Sequence, residues 1–421
     1  MRPASESKTP GADWLFIARV SPSRGRGRKR SPTVCAGYTQ EVSPATAERP
    51  SRREIELDFI RGIAILLVVD FHSQHGLLNF LLGRFGMPRL GWVGVDIFFV
   101  LSGFLVGGLL IKEWKVRGRI NTSSFLIRRG FKIWPQYYAF LLILLVSGHR
   151  SLHELWGNLL NIQNYVGGVS HTWSLAVEEH AYLTILLILW VAARWKLRMR
   201  TLFTILAVLI ASIVVTGLYL VSRGVDVFTP THTRLGGILA GVMLAIAYHY
   251  KPDIFHRLQR YWLLWCSVIA ATLAYAYLGR HGWNPALMID MADLSGVALL
   301  MLLYRRREGN RHNWLYRLVA WIGLYSYGIY LWHVSVDAPV AWVSQRLPAL
   351  PGLLWGFTAP VLLGIALGVL TTEAIEFPML RLRERWFPRR VDSPVGIPAE
   401  EERVHVPEPG AAPAPIRTEV V

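Results

Sequence analysis

Ten mainly apolar runs dominate this chain, and a bilayer-spanning helix needs about 20 such residues. They lie at approximately 57–77, 91–111, 133–148, 173–193, 201–221, 232–250, 261–279, 286–304, 318–341 and 353–375. The third is short and the fourth opens on charged residues. The expected fold is all-α and integral to a membrane, with about ten transmembrane helices in one bundle.

Charge placement tests that count. With residue 1 in the cytoplasm, the segments 112–132, 194–200, 251–260, 305–317 and 381–390 fall on the cytoplasmic side and hold 24 Lys and Arg. The opposite loops hold 6: Arg84, Arg89, Arg150, Arg223, Arg280 and Arg346. A bias alternating in phase through ten spans follows the positive-inside rule. It places the chain in the cell (plasma or inner) membrane, multi-pass, with both termini cytoplasmic. Most of the net charge of +17 is then topological, and nucleic-acid binding, which a basic chain invites, is set aside.

Residues 1–51 form a basic tail rich in Ser, Pro, Arg and Thr, with a run of charge at Arg24–Arg30, and 391–421 form a second polar tail. Neither has the apolar content to bury a core, so both are expected to be disordered. One membrane domain, 52–390, lies between them. The chain's two cysteines, Cys35 in the N-terminal tail and Cys266 in the seventh run, offer neither a disulfide framework nor a metal pattern.

Polar residues inside apolar runs are costly unless they face protein or a water-filled cavity. Arg61 and His72 stand eleven residues apart in the first run. On a helix that spacing returns to within about 20° of the same face, about 16 Å further along. Asp58 falls near the same stripe. In the second run Asp96 and Gly103 are seven apart, with Ser102 beside them and Gly107 in small-xxx-small spacing for helix contact. Asp96 needs a cationic or hydrogen-bonding partner, and Arg61 is the expected one. Arg128, Arg129 and Lys132 gather at the cytoplasmic mouth of the third run, where they suit a phosphorylated ligand from the cytosol or simply set topology.

Ser174 and Glu178 share a face at the outer end of the fourth run, with Glu179 and His180 alongside; Glu179 is the better candidate for a solvated carboxylate. Ser326, Tyr330, His333 and Asp337 step by four, three and four along the ninth run, a polar stripe on a continuous helix. Arg234 opens the sixth run as a cation without an evident partner, either functional or snorkelling to the interface. The longest outer loop, 147–171, carries Trp156, Tyr165 and three histidines, suited either to a polar acceptor or to interfacial anchoring.

Six stretches in order, LDFIRGIAILLVVDFH, GVDIFFVLSGF, RRGFKIWPQYY, TWSLAVEEHAYL, YSYGIYLWH and IEFP, resemble the acyltransferase 3 family of multi-pass membrane acyltransferases over about 55–385. The resemblance implies an acyl-CoA donor, usually acetyl-CoA, entering from the cytoplasm, and a hydroxyl acceptor on a glycan, envelope component or metabolite. It implies that His72, in the family's Arg-(ten residues)-His pair with Arg61, is the catalytic histidine, and that Arg128 and Arg129 lie near the donor. Lys132 departs from the family's second spaced Arg, and His180–Ala181 from its usual Gln-Phe. No tightly bound cofactor is implied.

The expected function is O-acyl transfer. His72 acts as general base on the acceptor hydroxyl or carries the acyl group as a nucleophile. Arg61 and Asp96 set its orientation and field; Ser174 and Glu178 shape the outer half; Arg234, Ser326, Tyr330 and His333 support the substrate region. A transporter or flippase of a polar or lipid-linked substrate needs the same polar path and is the rival reading, followed by a non-catalytic scaffold.

Overall fold

The computed structural model describes residues 54–73, 76–84, 89–279, 282–304 and 313–388. The expectations for both tails, for Cys35 and for most of the 305–317 loop lie outside them.

Among the described residues the regular structure is entirely helical. In chain order the first elements are α1 (Ile55–His72), α2 (Leu77–Arg84), α3 (Val93–Arg117), α4 (Thr122–Val146), α5 (Leu152–Leu159) and α6 (Gln163–Val166). Then come α7 (Trp173–Arg194), α8 (Met199–Ser222), α9 (Thr231–Tyr250), α10 (Pro252–Arg260), α11 (Trp262–Leu278) and α12 (Pro285–Leu303). The last are α13 (Trp314–Leu324), α14 (Ser326–Trp332), α15 (Asp337–Ser344), α16 (Ala349–Thr371) and α17 (Phe377–Trp386).

Among the described residues five helices are long and apolar enough to cross a membrane by length and composition, or six when α10 and α11, bent by 66°, count as one span. The five are α3, α7 with its leading turn, α8, α12, and α16 continuing into α17. Several of the other expected spans carry charged residues. Glu56, Asp58, Arg61 and Asp70 lie on α1, and Arg128, Arg129 and Lys132 on α4. The ninth run is not one helix. α14 ends at Trp332 and a 3-10 turn, His333–Val336, separates it from α15. The continuous stripe expected from Ser326 to Asp337 is therefore broken at His333.

Glycine decides how closely the central helices approach. α3 and α9 are the most extensively packed pair. A Cβ on Gly103 would sit 1.8 Å from the carbonyl oxygen of Ile238, and one on Gly241 2.2 Å from that of Val100. The small-residue spacing read around Gly103 thus marks a real helix contact, with α9 as its partner. α1 and α13 repeat the device through Gly62 and Gly323. Of the most apolar stretch of α3, 78% is buried against only 11% for α8, so α3 is central and α8 peripheral. The outer loop is also ordered. Ser151 and Glu154 form a reciprocal capping box at the start of α5. The Ser151 backbone N–H, the Arg150 guanidinium and the Ser151 hydroxyl push the exposed Glu154 carboxyl down to about 2.

Candidate active site

Helices α1, α3, α4, α7 and α14 and the turn after α16 enclose a cavity with about 810 Å³ of empty space, its mouth included. Arg61, Arg129, Lys132 and Glu376 line it together with Ser102, Ser174, Glu178, Tyr182, Ser326 and Tyr330.

Several of these polar groups are fixed by neighbours on the same or a facing helix. Arg61 bonds Asp58, three residues back on α1, at 3.1 Å, and keeps 29% of its side chain exposed against 7% for Asp58. The guanidinium is thus anchored on one side and open on the other. Arg129 stacks over the Tyr182 ring at 4.6 Å. Glu178 accepts from the Ser102 hydroxyl at 2.6 Å and from the Tyr182 hydroxyl at 3.0 Å, so both carboxylate oxygens are fixed. Glu376 comes from a π turn, Thr372–Glu376, that joins α16 to α17; such single turns recur at functional sites.

The Tyr330 hydroxyl bonds both the His171 carbonyl and the Ser174 hydroxyl. A carbonyl only accepts, so the phenolic proton goes to His171 and Ser174 donates to the phenolic oxygen.

His72 and His333 are not part of that lining. They meet beyond Tyr330, with ring centroids 5.0 Å apart, and His171 lies 5.5 Å from His333. His72 Nδ1 is 3.0 Å from the Val68 carbonyl. That bond puts the proton on Nδ1 and leaves Nε2 as the basic edge. Cations, a fixed carboxylate and hydroxyls thus share the cavity, with the imidazoles of His72 and His333 beside Tyr330. Among the described residues, no group of three or more His, Cys, Asp or Glu is arranged to hold a metal ion.

Several expectations need correction. Asp96 does not pair with Arg61. Its partner is Arg234, at 2.7 Å, with both side chains fully buried. The reason is helix register. Gly94 approaches Ala64 and Val68 of α1, and Phe98, one turn on, shares the cavity with Arg61. Asp96 lies two residues from each and points instead toward α9. Arg234 accordingly does not snorkel: it is 1% exposed and lies over the rings of Phe99, Trp173 and Phe228, 5.2–5.5 Å from each centroid. At Glu179, expected as a solvated carboxylate, Oε1 is buried without a hydrogen-bond partner among the described residues, while the side chain as a whole is only partly buried. Arg128 is turned away from Arg129 and Lys132 and faces Glu384 at 3.5 Å.

Sequence reasoning missed Tyr182 and Glu376 and gave Ser102 no role. Ser102 and Glu376 stood inside motifs already quoted, GVDIFFVLSGF and IEFP, and Tyr182 in TWSLAVEEHAYL.

A family model described as an acyltransferase domain matches residues 54–373. A peptidoglycan O-acetyltransferase of Listeria monocytogenes is 26% identical, over 70% of this chain and 52% of its own length. A Bacillus subtilis protein provisionally named for the same activity is 26% identical, over 80% of this chain and 56% of its own. A Staphylococcus aureus protein provisionally named an O-acetyltransferase is 26% identical, over 66% and 50%. The chain spans about half the length of the curated relatives it matches. No solved structure matches it.

Proposed function

The chain belongs to the acyltransferase 3 family, and from that premise we propose that it is an integral-membrane O-acyltransferase. It takes an acyl group, acetyl by preference, from cytosolic acyl-CoA and delivers it to a hydroxyl of a cell-envelope glycan. The similarity to a peptidoglycan O-acetyltransferase makes peptidoglycan the first acceptor to try. The observation that carries the reading is the order of groups: Arg129, Lys132 and Arg61 around the cavity, then Tyr330, then the basic edge of His72. Acyl-CoA binds with phosphates toward the cations, which suit them as fork and point charge. His72 Nε2 removes the acceptor hydroxyl proton as the carbonyl is attacked. Glu178, with both oxygens held by hydroxyls, fixes Ser102 and Tyr182 around the reacting end. Purified protein given acyl-CoA and muropeptide should release thiol and acylated acceptor in equal amounts. Acceptor movement without acylation would favour a transporter instead.

The donor site has its own test. Arg129→Ala should raise the KM for acyl-CoA about tenfold or more, as loss of a charge-assisted bond does, while kcat at saturating donor falls less. An unchanged KM would leave the basic cluster as a topology signal alone.

The proposed topology is ten spans with both termini cytoplasmic in the plasma membrane, α1, α4 and α9 included despite their charges. Reporter fusions within 148–171 should read outside and fusions within 112–128 inside. An inside signal from 148–171 would overturn the ten-span arrangement.

A further inference from the structure

His333 lies where the proposed donor cavity and the His72 edge meet. It is 2% exposed. Its Nδ1 lies 2.8 Å from the Tyr330 carbonyl and 3.2 Å from that of Ile329. Carbonyls only accept, so Nδ1 carries the ring proton and Nε2 carries a lone pair. Nε2 is buried and has no hydrogen-bond partner among the described residues. A buried acceptor left unmatched costs stability, and each such atom calls for an explanation. Its surroundings supply one. The His333 ring is 5.9 Å from the ring of Tyr330, which lines the cavity, and 5.0 Å from that of His72. Two imidazoles with free Nε2 atoms thus stand side by side. The buried one adjoins the cavity wall, and His72 is only partly buried.

We propose that His333 is the acyl carrier and His72 the base that unloads it. The inference rests on the acyl-transfer reading above. His333 Nε2 attacks the thioester carbonyl carbon; the C–N bond forms, the C–S bond breaks, and sulfur leaves with the electron pair as a thiolate that takes a proton on the cytosolic side. The resulting N-acylimidazolium keeps its Nδ1–H on the Tyr330 and Ile329 carbonyls. His72 Nε2 then takes the proton of the acceptor hydroxyl. The oxygen bonds the acyl carbon, and the C–N bond breaks to return the pair to His333. His72 sheds its proton to water. The sum is thioester plus alcohol to ester plus thiol. Burial serves the carrier, because an acylimidazole reacts readily with water and His333 is shielded from it. An acyl group on the more exposed His72 would lack that shield.

The test uses purified full-length protein with acyl-CoA and no acceptor. Exchange of label between acyl-CoA and free radiolabelled CoA reports the first half-reaction, and peptide mass spectrometry of quenched protein locates the adduct. Wild type and His72→Gln should both catalyse exchange. His72→Gln should accumulate the acyl mass on His333, at least about tenfold above wild type when acceptor is present. His333→Gln should bind acyl-CoA with wild-type affinity but lose exchange and transfer at least about a hundredfold. Wild type that acylates the acceptor while exchange is absent, or an adduct found on His72, would overturn the proposal even if His333→Gln failed to fold. So would full transfer by His333→Gln. No acylation of any acceptor by wild type would count instead against the acyltransferase reading.

Discussion

Replacing His72 with alanine is expected to lower acyl transfer at least about a hundredfold, the lower end of what a general base contributes, while leaving a folded, membrane-inserted protein that still binds acyl-CoA. The side chain makes one bond, to the carbonyl one turn below it, and its ring is partly exposed, so its removal opens little space in the core. His72→Gln keeps a hydrogen-bonding group but no titratable nitrogen and should be impaired to the same degree. His75, which lies outside the described residues, should tolerate replacement with little loss. Steady-state acylation and donor binding, measured side by side, check all three. Near-normal transfer by His72→Ala would remove the role of base assigned to it and shift the search for the base to Glu178.

Breaking the Asp96–Arg234 pair is expected to cost stability rather than chemistry. Removing one member of a buried ion pair leaves the other charge uncompensated, a loss of about 3–5 kcal/mol. Neither residue lines the cavity. Arg234→Met should therefore lower the thermal unfolding midpoint in detergent well below that of wild type, and Asp96→Asn should lower it less, because Asp293 and Asp290 also act on Arg234. Replacing both together, Asp96→Leu with Arg234→Met, should recover much of the loss, because an apolar pair of similar volume carries no desolvation cost. An Arg234→Met variant as stable as wild type would mean that the buried pair contributes nothing net to stability.

Local periodicity in the sequence reached some of this molecule and not the rest. Ser174 with Glu178, and Ser326 with Tyr330, were legible as faces, because a four-residue step is a helical neighbour wherever the helix lies, and all four line the cavity. Gly103 was legible as a contact point for the same reason. The break at His333–Val336 was not. Its sequence HVSV contains neither proline nor glycine, and the polar stripe continued through it at helical spacing. Glu376 escaped because the apolar run was taken to end one residue earlier, whereas a π turn carries the chain on into α17. The partner of Asp96 is 138 residues away. One-dimensional reasoning could say that it needed a cation but not which of two candidates faced it. That choice depends on the rotation of α3, which is set by Gly94 against α1 and Gly103 against α9.

The same pair bears on how the protein is made. The ribosome delivers Asp96 to the membrane well before Arg234 exists. Asp96 lies in the first turn of α3, and a carboxylate in an apolar run is costly without a partner, so α3 is expected to take its final place only once α9 supplies Arg234. The two most extensively packed helices thus form a late checkpoint in biogenesis. A chain truncated before α9 is therefore expected to hold α3 less firmly in the membrane than the full-length protein, a difference that alkaline extraction would read.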